Sequence, residues 1–146
     1  MDAALIQSVI LRLGGSATLG RKVRDLNGLR VRIESGLPTK SIDHVLTGVG
    51  NRTERAELRN KIVPRSTLAR RGDTLTQEES ERLERVARVI SLAEQTWEGE
   101  EQEAWKFLNR AHPELDGLEP IDVALTEIGA RQVEELLQKI EYGLPV

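Results

Sequence analysis

Apolar residues recur at helical spacing through most of the 146-residue chain. The longest such pattern starts at Thr76, where a T-x-x-E capping box with Glu79 precedes an apolar stripe. The stripe consists of Leu83, Val86, Ile90, Ala93 and Trp97. Its spacing predicts one long helix of about six turns with a single buried face.

Three shorter helices are predicted after the long one. Trp105 and Leu108 belong to a helix over 101–109, which stops before the breakers Pro113 and Gly117. Pro120 suits the first position of a short helix, and Thr126 begins the last helix, for which Gly143 is the C-cap. The inward residues of these two helices are Val123, Ala124 and Leu125 in the first and Val133, Leu136, Leu137 and Ile140 in the second.

The first half of the chain is less regular. Residues 3–13 predict a short amphipathic helix, residues 16–28 a loop, and residues 39–50 a helix with Ile42, Val45 and Leu46 inward. Residues 29–34 alternate and could form a strand, but a helix or irregular segment is favoured because no second strand could pair with it. The fold class is therefore all-α. The division expected is 1–74 and 75–146, with a joint near 72–75 that the long helix bridges.

Residues 53–71 have the spacing of a helix-turn-helix motif. A helix over 53–61 is followed by a tight connection at Val63 and Pro64 and by a second helix that extends to Arg71. On a helical wheel Ser66, Thr67, Arg70 and Arg71 share one arc, as a helix that reads bases and phosphates requires. Arg52, Arg55 and Arg59 form a second basic stripe on the first helix, suited to the DNA backbone.

Charge is divided unevenly along the chain. The net charge is −3, but residues 1–71 hold 14 Lys and Arg against 6 Asp and Glu, and residues 72–146 hold 7 against 18. The basic first half favours phosphate contacts, whereas the acidic second half favours protein partners or solvation. The chain has no cysteine, no signal peptide and no apolar stretch of membrane length, so a cytoplasmic location is expected.

No constellation of catalytic or metal-ligating residues is found. His44 and His112 have no partner at ligand spacing, so both are expected to be structural or exposed. Trp97 and Trp105 are expected in the core, whereas packing and partner contact are equally plausible for Tyr142. The chain is expected to have no catalytic residue, no bound metal and no cofactor.

Two stretches of the sequence resemble a known family. The stretch GLP…STLARR…LTQEESERLERVARVISLA and the C-terminal AWKFLNRAHPELDGLEPIDVALTEIGARQVEELLQKIEYGLPV are similar to the Xre/MbcA/ParS-type antitoxins of RES–Xre toxin–antitoxin pairs. The resemblance covers roughly residues 36–146. It implies an N-terminal helix-turn-helix that binds the operator of its own operon. It also implies a C-terminal helical domain that blocks the NAD site of a RES-domain toxin.

The resemblance assigns candidate residues to both interfaces. DNA-contacting positions would be Arg65, Ser66, Thr67, Arg70 and Arg71, and the helical spacing adds Arg52, Arg55 and Arg59 as candidates. Toxin-facing positions would be Arg131, Glu134, Glu135, Gln138, Glu141, Tyr142, Gly143, Leu144, Pro145 and Val146. The first helix of the DNA-binding motif departs from the pattern because it offers only Ala56, Leu58 and Ile62 for packing.

Three further expectations complete the hypothesis of a DNA-binding antitoxin that represses its own operon. We expect a homodimer that contacts itself through the apolar stripe of the 76–97 helix and through the N-terminal helix. Leu144, Pro145 and Val146 are expected to project as a short, stiff finger into the NAD pocket of the toxin, where a terminal carboxylate would meet cationic groups. The alternative is a free-standing transcription regulator whose C-terminal half dimerises or senses a small molecule; an enzyme is the least favoured class.

Overall fold

The computed structural model describes all 146 residues and contains ten α-helices, one short 3₁₀ segment and no strand. The all-α fold class is therefore confirmed. The helices are α1 (Ala3–Arg12), α2 (Gly15–Leu19), α3 (Leu26–Ser35), α4 (Lys40–Leu46), α5 (Arg52–Ile62), α6 (Arg65–Leu68), α7 (Gln77–Thr96), α8 (Glu101–Leu108), α9 (Pro120–Val123) and α10 (Glu127–Glu141).

Helix α7 is the central element of the fold. The predicted capping box is present, since the backbone N–H of Glu79 donates to Thr76 Oγ1 and the backbone N–H of Thr76 donates to Glu79 Oε1. The predicted stripe is buried, with Leu83, Val86 and Ala93 fully inaccessible. Helices α1, α8 and α10 pack around α7, so residues from both halves of the chain share one apolar core.

Burial of this stripe corrects one expectation. The apolar face of α7 cannot be a dimer contact because intramolecular packing already covers it. On α1 the residues Leu5, Val9 and Ile10 are also buried, and only Leu11 leaves a large apolar side chain outside. The boundary between residues 74 and 75 remains a prediction.

The sequence predicts a loop over residues 16–28, and this prediction is wrong at both ends. Helix α2 occupies its first part, and α3 begins at Leu26, before the alternating segment 29–34. Asp25 Oδ1 accepts the backbone N–H of Gly28 and so caps α3, which supplies the local start signal for a helix rather than a strand. The preference for helix over strand at 29–34 is thus confirmed.

The end of α10 has the expected glycine stop. Gly143 has φ +70°, and the backbone N–H groups of Gly143 and Leu144 return to the carbonyls of Ile140 and Lys139 at 3.1 and 2.8 Å. These two bonds form a Schellman motif, which fixes the direction of the chain after the helix. The apolar side chains of Leu144 and Val146 are 54% and 53% exposed, as the finger requires.

The molecule has no helix that is both long and apolar enough to cross a membrane.

Candidate functional site

Helices α5 and α6 form the predicted helix-turn-helix. An Asn51–Glu54 capping box starts α5, and Val63 leaves helical geometry just before Pro64. Leu58 and Ile62 are buried as expected and Val63 joins them, but Ala56 is exposed, contrary to expectation. The apolar contribution of α5 therefore comes from its C-terminal half.

Helix α6 is shorter than predicted. It ends at Leu68 rather than Arg71, because the N–H groups of Arg70 and Arg71 turn back to the carbonyls three residues earlier. Ser66 is exposed on this single turn and Thr67 is half-buried. The four predicted contact positions therefore do not share one helical face, and Arg70 is presented from a turn.

The candidate DNA-contacting arginines divide into two groups. Arg52, Arg65 and Arg70 are exposed, and their side chains make no ion pair or hydrogen bond within the protein. The other three are engaged: Arg55 donates to the carbonyls of Val49 and Gly50, Arg59 pairs with Asp43 at 2.5 Å, and Arg71 pairs with Glu79. Only the free group can contact DNA without first breaking an internal interaction.

The Arg71–Glu79 pair anchors the chain after α6 to the start of α7. Arg71 Nε and a terminal guanidinium nitrogen donate to the two carboxylate oxygens of Glu79 at 2.9 and 2.8 Å. The hydrogen bond from Arg71, together with the bonds to Thr76, lowers the pKa of Glu79 to about 2, and the same pairing raises the pKa of Arg71. Glu79 therefore stays ionised at all physiological pH values, and Arg71 holds the turn that presents Arg70.

The candidate toxin-facing residues of α10 form a continuous exposed stripe. Arg131, Glu135, Gln138 and Tyr142 follow one another at spacings of four, three and four residues, and all are exposed. Ile128 extends the stripe by one turn and is 66% exposed, while Tyr142 is 78% exposed. We call these five residues the α10 stripe; it is about 21 Å long and has an apolar side chain at each end.

Sequence reasoning missed Ile128. The signal that could have revealed it is its spacing of three residues from Arg131, which places it on the polar face rather than with Val133 and Leu136. Glu141 is exposed beside the stripe, and Gly143 and Pro145 are exposed beyond it. Glu134 differs from the other candidates because it is half-buried and points toward α7.

Glu134 belongs to an ion cluster between α7 and α10. Arg88 Nε lies 3.3 Å from both Glu84 and Glu134, and a terminal nitrogen lies 3.5 Å from Glu127. One guanidinium thus faces three carboxylates, and neither Arg88 Nε nor Glu84 Oε2 makes an aligned hydrogen bond. Burial raises the pKa of Glu84 to about 6, with Glu127 and Glu134 adding to the effect and Arg88 opposing it.

This cluster predicts a pH-dependent stability. Because the folded-state pKa of Glu84 lies above its unfolded value of 4.5, folding stability falls as the pH rises from 4.5 to 6 and stays lower above that window. Replacing Glu84 with Gln should raise the free energy of unfolding at pH 7.5 by up to about 2 kcal/mol and leave it nearly unchanged at pH 4.5. Urea unfolding at the two pH values measures the effect.

The exposed Glu81 offers a matched control on the same helix, and Glu81→Gln should change stability little at either pH. A loss of stability in Glu84→Gln at pH 7.5 would contradict this account of the cluster.

Polar contacts join the helix-turn-helix to the C-terminal helices. Asn109 on the α8 side donates to Glu54 of the α5 capping box, and Lys61 of α5 pairs with Asp122 of α9 at 2.6 Å. Gly50 fits closely against Trp105, since a Cβ at position 50 would lie 2.6 Å from the indole nitrogen. The two candidate interfaces therefore belong to one connected framework.

The remaining residues of interest have structural settings. His44 is exposed, and its Nε2 atom lies 3.1 Å from Thr18 Oγ1. His112 Nδ1 accepts the backbone N–H of Glu114. Trp97 and Trp105 are half-buried against the core, and Trp97 packs on Phe107 with ring centroids 5.2 Å apart. No group of three or more histidine or acidic side chains could hold a metal ion.

Comparison with known proteins finds similarity in both halves of the chain. Residues 29–88 match the antitoxin Xre-like helix-turn-helix domain, and residues 92–143 match the antitoxin Xre/MbcA/ParS C-terminal toxin-binding domain. A protein named Antitoxin Xre from Pseudomonas putida is 37% identical over 98 residues. That alignment covers 62% of this chain and 61% of the relative, so it spans less than two thirds of the relative's length.

These matches agree with the resemblance drawn from the sequence and with the order of its two parts. Both matched domains belong to regulators without catalytic chemistry, so the prediction that the chain is not an enzyme is confirmed. The α5–α6 motif lies inside the first match, and the whole α10 stripe lies inside the second.

Proposed function

Because the chain belongs to the family of Xre/MbcA/ParS-type antitoxins, we propose that it neutralises a partner toxin through its C-terminal half and binds DNA through its helix-turn-helix. In the finer form of the proposal, the toxin is a RES-domain enzyme that consumes NAD, and the DNA is the operator of the shared operon. Both activities take place in the cytoplasm, and the protein itself carries no cofactor.

The observation that carries the proposal is that the folded chain has two exposed surfaces without an internal partner, and that they lie on different helices. One surface is the α10 stripe, whose exposed Ile128 and Tyr142 are the kind of apolar and aromatic anchors found in protein interfaces. The other surface consists of the free arginines around α6, whose charge suits phosphates and guanine edges. The surfaces differ in charge and chemistry, so each suits a different class of partner.

Inhibition of the toxin is proposed to occur by occlusion. The Schellman turn at Gly143 directs the finger, defined as Leu144, Pro145 and Val146, away from the end of α10. A proline and a fixed helix stop restrict the conformations of the free segment, so that it loses little entropy when a pocket receives it. We therefore assign binding energy to the α10 stripe and blockage of the NAD pocket to the finger.

The DNA-binding half is proposed to act as a homodimer. A recognition segment of one helical turn offers few base contacts, and two copies would read half-sites separated by about 34 Å or a multiple of that distance. Leu11, which is 71% exposed on α1, remains the apolar candidate for the contact between copies. We therefore keep the N-terminal helix as a candidate for the contact between the two copies, whereas the apolar face of α7 is excluded.

Co-expression with the product of the neighbouring gene tests the proposed function. The tagged protein should co-purify with a RES-type enzyme, and purified antitoxin should suppress NAD consumption by that enzyme in proportion to the amount added. Absence of any co-purifying partner, with intact operator binding, would instead favour a free-standing transcription regulator.

A further inference from the structure

The basic side chains of the protein fall into three classes that reveal an unassigned surface. Of the 21 Lys and Arg residues, nine form ion pairs and three donate only to backbone carbonyls, which leaves nine with no partner in the protein. The free residues are Arg21, Lys22, Arg24, Lys40, Arg52, Arg65, Arg70, Arg110 and Arg131. Three of them lie within four consecutive positions, in the segment between α2 and α3.

We call residues 20–24 the basic loop. The side chains of Arg21, Lys22 and Arg24 are exposed, whereas Val23 between them is only 4% exposed and packs in the core. The one adjacent acid, Asp25, makes no ion pair with them, and its carboxylate caps α3. The loop therefore concentrates three positive charges beside a single negative charge, and the excess positive charge favours the binding of an anion.

The backbone of the basic loop is held firmly. Gln7 of α1 donates to the carbonyl of Arg24 at 2.6 Å, and the N–H of Val23 donates to the carbonyl of Gly20 at 3.3 Å. Gly28 packs so closely that a Cβ there would lie 2.4 Å from the carbonyl oxygen of Lys22. The charged side chains thus project from a fixed platform, which lowers the entropy lost when they bind a ligand.

Backbone contacts place the basic loop near the turn that follows α6. The guanidinium of Arg32 bridges the carbonyls of Leu19 and Gly36, so the start of the loop lies beside Gly36. Residues 36–39 run antiparallel to residues 72–75, with the N–H of Leu75 bonded to Leu37 and the N–H of Thr39 bonded to Asp73.

This path gives the scale of the combined surface. Summed step by step, the path is roughly 35 Å long, which is an upper limit for the distance between Arg21 and Arg71. The free Lys40 lines a cleft near the turn that follows α6. Leu68 and Gly72 line the same cleft.

We propose that the basic loop binds the sugar-phosphate backbone of DNA on the flank of the site read by α6. This inference rests on the proposed function, because it extends the same DNA interface beyond the helix-turn-helix domain, whose family match begins only at residue 29. One turn of DNA is about 34 Å long, so a charged loop within roughly that distance of the recognition turn can contact phosphates on the flank of the groove. Such contacts add affinity without adding sequence preference.

Salt dependence of DNA binding tests this inference. The variant Arg21→Ala/Arg24→Ala removes two free arginines from the basic loop, and Lys106→Ala/Arg110→Ala removes two exposed basic side chains from the acidic half, outside both candidate interfaces. The two variants have the same change in charge. Fluorescence anisotropy titrations would use a duplex from the region upstream of the protein's own gene and a scrambled duplex of equal length, each at several salt concentrations.

The loop variant should lower the magnitude of the slope of log K against log[salt] by about 1.8 for each copy bound to the duplex, and so by about 3.6 for the proposed homodimer, since each phosphate contact contributes about 0.9. The loss of affinity should be equal for the two duplexes, and the control variant should keep the wild-type slope. Wild-type slopes in the loop variant, with operator binding present in the unchanged protein, would overturn the inference and leave the proposed function standing. Failure of the unchanged protein to bind either duplex would overturn the proposed function itself, and the inference with it.

Discussion

Replacing Arg65 and Arg70 together with alanine is expected to weaken operator binding by at least about 30-fold while leaving toxin inhibition intact. Both side chains are exposed and free of internal partners, so they are available for guanine edges or phosphates. Each specific contact is worth about 1–3 kcal/mol, so losing two should weaken operator binding between about 30-fold and 10⁴-fold for each copy in the dimer. A gel-shift titration at fixed salt measures the loss.

The same double variant should unfold at the wild-type temperature, because neither arginine stabilises the folded chain. Arg71→Ala is the informative comparison: it deprives the buried Glu79 carboxylate of its main partner, and should lower the unfolding temperature as well as operator affinity. If the Arg65→Ala/Arg70→Ala variant binds the operator with wild-type affinity, α6 does not belong to the DNA interface.

Deleting residues 143–146 is expected to separate binding of the toxin from its inhibition. The α10 stripe remains in the truncated protein, so association should persist, whereas the finger that blocks the NAD pocket is gone. Suppression of NAD consumption should therefore fall at least tenfold, measured at an antitoxin concentration that still saturates the toxin. A tenfold loss corresponds to about 1.4 kcal/mol. Parallel binding and NAD-consumption assays distinguish the two effects.

A full-length control variant tests whether inhibition depends on the apolar side chains of the finger or only on the length of the chain. Replacing Leu144 and Val146 with serine keeps the Schellman turn and Pro145 but removes the apolar groups. We expect the same loss of inhibition as in the deletion. Full inhibition by both variants would assign occlusion to the helical body alone.

Local sequence signals predicted the parts of the fold that depend on nearby residues. The Thr76–Glu79 capping box and the apolar stripe of α7 were predictable from the sequence because both depend on residues of one helix. The stop at Gly143 was readable because an αL glycine after a helix is a local device. In contrast, α2 was missed because five residues with a Gly start carry no helical period.

The candidate DNA interface was predictable in position but not in detail. The sequence shows six arginines between 52 and 71, yet it does not show which of them fold back on the protein. Arg71 meets Glu79 across the turn that joins α6 to α7, and Arg59 meets Asp43 of α4, so both pairings depend on tertiary packing. The helical arc drawn through Arg70 and Arg71 failed for the same reason, because the anchored turn replaces the last part of the predicted helix.

The central claim is that one chain carries two independent interfaces, one for DNA and one for a toxin. The most direct test adds purified toxin to a preformed antitoxin–operator complex and follows both the mass of the DNA-bound species and the consumption of NAD. We predict a heavier complex that contains DNA, antitoxin and toxin together, in which NAD consumption is suppressed. Release of the operator in proportion to the toxin added, with no ternary complex at any ratio, would show that the two partners compete for one surface and would contradict the account.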